Sequence, residues 1–102
     1  MMAEQVLILK EAADDLEQGV GFYESQKHEL GAYFFDSIIS DIESLKLSAA
    51  VHAIHAGFHR LLSRRFPFAI YYSYDGHVAR VVAILDMRRD PAWTYGQLSG
   101  RK

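Results

Sequence analysis

Hydrophobic positions change their period twice along this chain. An unbroken apolar run at Val6, Leu7, Ile8 and Leu9 comes first, a buried-strand candidate whose four residues fit strand and helix alike. From Glu11 the spacing is helical. Ala12, Leu16, Val20 and Tyr23 recur on one side, Asp14, Asp15, Glu17 and Gln18 lie opposite, and Glu11, Asp14 and Asp15 sit near the positive end of the helix dipole. The polar stretch 26–31, with its glycine, predicts a turn. A broader stripe follows at Phe34, Phe35, Ile38, Ile39, Ile42 and Leu45, with Asp36, Ser37, Ser40, Asp41, Glu43 and Ser44 on the water side. Two such helices with a short connection predict an antiparallel helical hairpin. Residues 48–57 carry no pattern and read as a loop.

From Phe58 the composition turns to β-formers. Residues 68–74 and 77–85 flank Asp75-Gly76, a dipeptide that suits the positive φ angles of a type I′ hairpin turn. Pro67 has no N–H for a sheet ladder, so it belongs at a strand start or on an edge. In the last strand Ala79, Val81, Ala83 and Leu85 form one apolar face suited to the helical hairpin. Arg80, Val82, Ile84, Asp86 and Arg88 form the other, half-protected face, where function is to be sought. A single bulge would invert this alternation. Asp90-Pro91 reads as an N-cap with proline at the first helical position, predicting a short helix through Trp93 and Tyr95 before a frayed tail over 96–102. The expected class is α+β in a single domain spanning 1–102. Its parts are a short N-terminal strand, a helical hairpin, a three-stranded antiparallel meander in one twisted sheet with the helices on one face, and a short C-terminal helix.

Length supports this reading, because 102 residues are enough to bury roughly two thirds of the unfolded surface. Half the residues are apolar, which excludes a disordered chain. With no cysteine, disulfides, thiolate nucleophiles and cysteine-based zinc sites are excluded, and a reducing compartment is expected. Neither a secretory leader nor a membrane span is visible, so a cytoplasmic location is expected.

Charge changes the picture more than size does. Residues 1–51 carry three lysines against ten carboxylates, a balance of −7, while residues 52–102 carry eight basic groups against Asp75, Asp86 and Asp90, a balance of +5. The near-neutral total of −2 therefore conceals a dipolar molecule whose basic half suits an anionic partner.

Candidate chemistry narrows by elimination. His52, His55 and His59 are close in sequence, yet on a loop leading to a strand they need not converge, so no metal or cofactor is expected. Asp14, Asp15 and Glu17 on a solvated helix face have the wrong environment for tuned acid–base catalysis. The glycines form no phosphate loop and no serine sits in a nucleophile elbow. What remains is Arg60, Arg64, Arg65, Arg80, Arg88 and Arg89, on or beside strands and interleaved with Phe66, Phe68, Tyr71, Tyr72 and Tyr74. Arginine forks bind phosphates or carboxylates and aromatic faces stack on bases, so these six are the candidates for binding a protein partner or nucleic acid. Asp86 and Asp90 are near enough to pair with Arg88 or Arg89.

The element order, with Arg65-Phe66-Pro67-Phe68 and Leu85-Asp86-Met87-Arg88-Arg89-Asp90-Pro91, resembles the RelE/ParE superfamily of toxins of type II toxin–antitoxin (plasmid stabilisation) modules, from about Val6 to Tyr95. The resemblance implies a growth-inhibiting toxin neutralised by a cognate antitoxin whose C-terminal segment wraps it. A homodimer or a toxin–antitoxin hetero-oligomer is the implied assembly. RelE-like members are metal-independent, ribosome-dependent messenger RNA endonucleases; in that branch Arg89 and Tyr95 match catalytic positions. Phe68 and Leu61, however, stand where those enzymes carry an arginine and a lysine. ParE-like members inhibit DNA gyrase by binding, and the Phe66-Pro67-Phe68 and Arg88-Arg89-Asp90-Pro91 segments resemble that branch more closely. The implied partners are thus the antitoxin, with gyrase or the ribosome and its message as target, and the leaning is toward a toxin without catalysis. A degenerate member that keeps only antitoxin binding is the remaining alternative.

Overall fold

The computed structural model describes residues 1–101. Along the chain run β1 (Gln5–Ile8), α1 (Lys10–Gln26), α2 (Leu30–Glu43), α3 (Leu45–Ser48), β2 (Ile54–His55), β3 (Phe58–Leu62), β4 (Phe68–Tyr74), β5 (Val78–Asp86) and α4 (Pro91–Leu98). The strands form one sheet in the order β1-β5-β4-β3-β2. The expected antiparallel meander is β3-β4-β5, and residues 48–57, expected as loop, add the two-residue β2 on its outer edge. Tertiary pairing settles the ambiguous first run as a strand: β1 lies parallel to β5, from Gln5 opposite Val78 to Ile8 opposite Val81.

The helical hairpin packs on one face of this sheet, as its apolar stripes require. Ala12, Leu16 and Tyr23 of α1 and Phe34, Ile38 and Ile42 of α2 meet Phe68, Ile70, Tyr72, Ala79, Val81 and Ile84 in one core. The α1–α2 turn is closed by an acid from the preceding helix. Glu24 accepts the N–H groups of Glu29 (3.1 Å) and Gly31 (3.0 Å), so the start of α2 is capped although Glu29 caps nothing itself. Those two backbone donors hold the Glu24 carboxyl below the usual range. Gly31 is needed there, because an added Cβ would lie 2.7 Å from the Val20 carbonyl oxygen.

Three water-side expectations are corrected. Ser37 and Asp41 are buried in α2, and Asp41 stays polar by accepting the Arg64 N–H at 3.4 Å and facing Arg64 Nε at 3.6 Å. Asp15 is also withdrawn from solvent, paired with Arg101. In the other direction, Phe35 of the expected stripe is exposed.

The expected alternation of β5 is also corrected. Its register against β4 slips between Tyr71 and Tyr72, which face Ala83 and Val81, leaving Val82 unpaired as a bulge. Ala79 and Val81 therefore face the helical hairpin as expected, whereas Val82, Ala83 and Leu85 join Ala69 and Tyr71 on the opposite face. That face is not open, because Leu98 and Trp93 of α4 pack on it. Within the tail expected to fray, α4 runs to Leu98, which is buried, and Arg101 is held by α1, while Lys102 lies outside the described residues. The β4–β5 turn differs from type I′, since Gly76 alone has positive φ (97°) while the Asp75 carboxylate accepts the His77 and Val78 N–H groups. These bonds, with Arg80 alongside, hold the Asp75 carboxyl well below the usual range.

Candidate functional site

The six arginines do not gather into one patch. Arg60 pairs with Tyr71 across β3 and β4, and Arg80 with Ser73 across β4 and β5, which places both on the α4 side of the sheet. Arg80 is tied to Asp75 at 3.0 Å. Arg64 and Arg65 lie in the β3–β4 connection, where Arg64 faces the buried Asp41 and Arg65 projects into solvent. Arg88 grips Asp86 through Nη2 (2.7 Å) and Nε (3.0 Å), and its Nη2 also donates to the Tyr23 hydroxyl at 3.4 Å. Through those bonds Arg88 lowers the pKa of Asp86, and its own is raised. Arg89 is exposed and lies 4.0 Å above the Trp93 ring. Asp90 caps α4 by accepting the Ala92 N–H, as its place before Pro91 predicts.

Three of the six, Arg64, Arg80 and Arg88, thus have carboxylate partners, while Arg60, Arg65 and Arg89 have none among the described residues. An unpaired arginine presents its full fork to a ligand, so these three are the cations available for phosphate or carboxylate. Tyr95 is 67% exposed on α4, following Arg89 and Trp93 along the same short segment. By contrast, Phe68 and Leu61 both face the helical hairpin. Phe68 belongs to an aromatic cluster with Tyr23, Phe34 and Phe66, its ring 4.9 Å from that of Phe34.

The three histidines of the 52–59 stretch take separate roles. His52 Nδ1 bonds to the Tyr72 hydroxyl, which also accepts the Ala50 N–H at 3.0 Å, and His59 stacks on the Tyr72 ring at 5.1 Å. His59 Nδ1 donates to the His52 carbonyl at 2.8 Å, while His55 is exposed. Burial and the neighbouring His59 push the His52 pKa down, and burial pushes the Tyr72 hydroxyl up. No group of three potential metal ligands converges among the described residues.

Nothing in the sequence marks a further concavity. A cleft of about 530 Å³ opens between α1, the outer edge of β5 and α4, lined by Asp14, Phe22, Asp86, Arg89 and Trp93 among others. At its inner end Arg101 forms a short ion pair with Asp15, each side chain only about a tenth exposed. Asp15 adjoins Leu16 at the border of the apolar stripe, a weak sign of partial burial, whereas nothing local marks Arg101. No helix among the described residues is long and apolar enough to cross a membrane.

No family model matches the sequence, and no curated protein sequence matches it significantly. Among solved structures, a chain of the chromosomal ParDE TA system from P. aeruginosa shares the fold, with a TM-score of 0.70 over 82% of this chain and 94% of that one, at 20% identity. The likeness spans nearly the whole of that chain, and at this identity it is a likeness of fold.

Proposed function

We propose that this protein is the ParE-like toxin of a type II toxin–antitoxin pair, a cytoplasmic growth inhibitor masked by a cognate antitoxin and acting through binding, with DNA gyrase as its target. The observation that carries the reading is the shared fold with a chain of a ParDE system, extending over 94% of that chain. The unpaired Arg60, Arg65 and Arg89 and the exposed Tyr95 supply the contact chemistry.

Burial favours the non-catalytic branch. An endonuclease of the RelE kind must counter charge developing on a phosphate, and a preorganised cation does this at a cost of several kcal/mol when it is removed. Phe68 and Leu61, at the matching positions, are apolar and point into the helical core, so no cation reaches the other face from them.

The test is expression of this chain alone from a tight promoter, with DNA, RNA and protein synthesis followed by pulse labelling over the first minutes. An early stop in DNA synthesis with translation continuing is the expected result. An early stop in protein synthesis would replace this reading with the ribonuclease one and make Arg89 and Tyr95 catalytic candidates. Unimpaired growth with soluble protein present would overturn the toxin reading, and unchanged supercoiling under excess purified protein would remove gyrase.

A further inference from the structure

β5 changes neighbours halfway along its length. β1 accompanies it only as far as Val81, with a last bond from the Leu9 N–H to the Val81 carbonyl at 3.0 Å. Beyond this, Val82 to Asp86 have no strand on that side. The bulge changes which residues face this edge. His77 and Val81 direct their carbonyls toward β1, whereas past the bulge it is the Val82 carbonyl and the Ile84 N–H that point outward. Exposed strand edges of this kind pair with other chains unless they are covered.

Here the cover consists of side chains. Asp15 Oδ2 accepts the Ile84 N–H at 3.0 Å, and Arg101 Nη1 donates to the Val82 carbonyl at 3.1 Å. Arg101 is steadied by Asp15 itself and by Gln97 Oε1 at 3.0 Å. A donor and an acceptor from side chains thus stand where a neighbouring strand would place its own N–H and C=O.

We propose that the free half of β5 is a docking site for one extended segment of a partner protein, closed in the unbound molecule by the Arg101–Asp15 pair. The segment takes over the bonds to Val82 and Ile84, and Arg101 swings away from them. Charge complementarity specifies what it carries. Once Arg101 leaves, Asp15 remains on the α1 wall beside Asp14 and Glu11, and a carboxylate left unpaired in so confined a place is costly. The docking segment therefore brings an arginine or lysine toward α1. Its length is set by the five free residues of β5, and alternate side chains enter the cleft between α1 and Trp93. A helix laid in the same cleft would leave both edge groups without main-chain partners. The geometry is the same whether or not the protein is a toxin, so strand binding and growth inhibition are independent readouts.

The experiment uses the full chain, as wild type and as Arg101→Ala, with three synthetic seven-residue probes. These are an alternating valine–arginine strand, the same strand N-methylated on every amide, and an alternating valine–glutamate strand. Expected is binding of the valine–arginine strand about tenfold tighter to Arg101→Ala than to wild type, the factor that releasing a ~1.4 kcal/mol latch would give. Slowed exchange of the Ile84 amide should accompany binding, with wild-type affinity restored in Arg101→Lys. Equal binding of the N-methylated strand would overturn strand pairing, and equal affinity of wild type and Arg101→Ala would overturn the latch. Preference for the valine–glutamate strand would overturn the assigned charge. If Arg101→Ala fails to fold, the N-methylation comparison on wild type decides the docking mode alone.

Discussion

The ring of Phe34 fills the space that a side chain at Gly19 would need. A Cβ added to Gly19 would stand 2.6 Å from Phe34 Cε2, so α1 and α2 approach closely only because position 19 is bare. Phe34 is fully buried and carries the contact onward, with ring centroids 5.0 Å from Tyr23, 5.0 Å from Phe66 and 4.9 Å from Phe68. One glycine thereby seats the helical hairpin on the sheet.

Two glycines in one helix should respond oppositely to the same substitution. Gly19→Ala forces Phe34 to move, an overpacking cost of about 1–3 kcal/mol that exceeds the ~1 kcal/mol helix-propensity gain. Gly21, with nothing within 4 Å of an added Cβ, yields that gain without the clash. Urea denaturation should show Gly19→Ala less stable than wild type and Gly21→Ala more stable by about 0.5–1 kcal/mol.

Tyr72→Phe removes the acceptor of the Ala50 N–H without leaving a cavity. Ala50 is held at a φ of 68°, so the segment around it depends on such an anchor. An orphaned N–H costs about 1–3 kcal/mol, and faster amide exchange at residues 50–52 should accompany that loss.

The clamp at the N-terminal strand should weaken as pH rises. Glu4 faces His77 Nδ1 and raises its pKa, chiefly through their hydrogen bond, with Asp75 adding to the effect. A raised histidine pKa gives stabilisation that is full below 6.5, the ordinary value, and lost as pH climbs through the folded-state value. Opening of β1, read from amide exchange at Glu4 and Gln5 after correction for intrinsic rates, should increase over that interval. Glu4→Gln should remove most of the pH dependence, leaving only the contribution of Asp75; an undiminished dependence would show that another group governs the strand.

His52 should act in the opposite sense. Burial and His59 lower its pKa, so the stability it confers is present above 6.5 and is lost as pH falls through the folded-state value. Thermal melts of His52→Gln should lose less stability between neutral and mildly acidic pH than wild type.

Arg89→Glu tests the contact surface. Arg89 is exposed and its one aromatic contact is with Trp93, so stability should change by no more than about 1 kcal/mol, while under the proposed toxin function growth inhibition or antitoxin binding should weaken. Wild-type behaviour of this variant would remove Arg89 from the contact surface.

The sequence by itself determined the two long helices, the β4–β5 hairpin, α4 and their order, while β1 was settled by its pairing with β5 and β2 was not foreseen. Helical spacing at Ala12, Leu16 and Tyr23 and at Phe34, Ile38 and Ile42, a β-rich second half and the Asp90-Pro91 start of α4 are local patterns, and local backbone preference with the need to bury one face is enough to read them. The burial of Asp41 was not among them: its polar side chain places it on the water side of α2, and only packing beside Arg64 buries it. Tertiary structure alone decided which faces meet. A one-residue bulge at Val82 reversed the faces of Ala83 and Leu85, because strand alternation depends on counting and one extra residue changes the parity. The packing of α4 on that face and the seal of Asp15 and Arg101 on β5 join residues up to 86 positions apart. No local period encodes such contacts; they exist only once the sheet has formed and left Val82 and Ile84 needing partners.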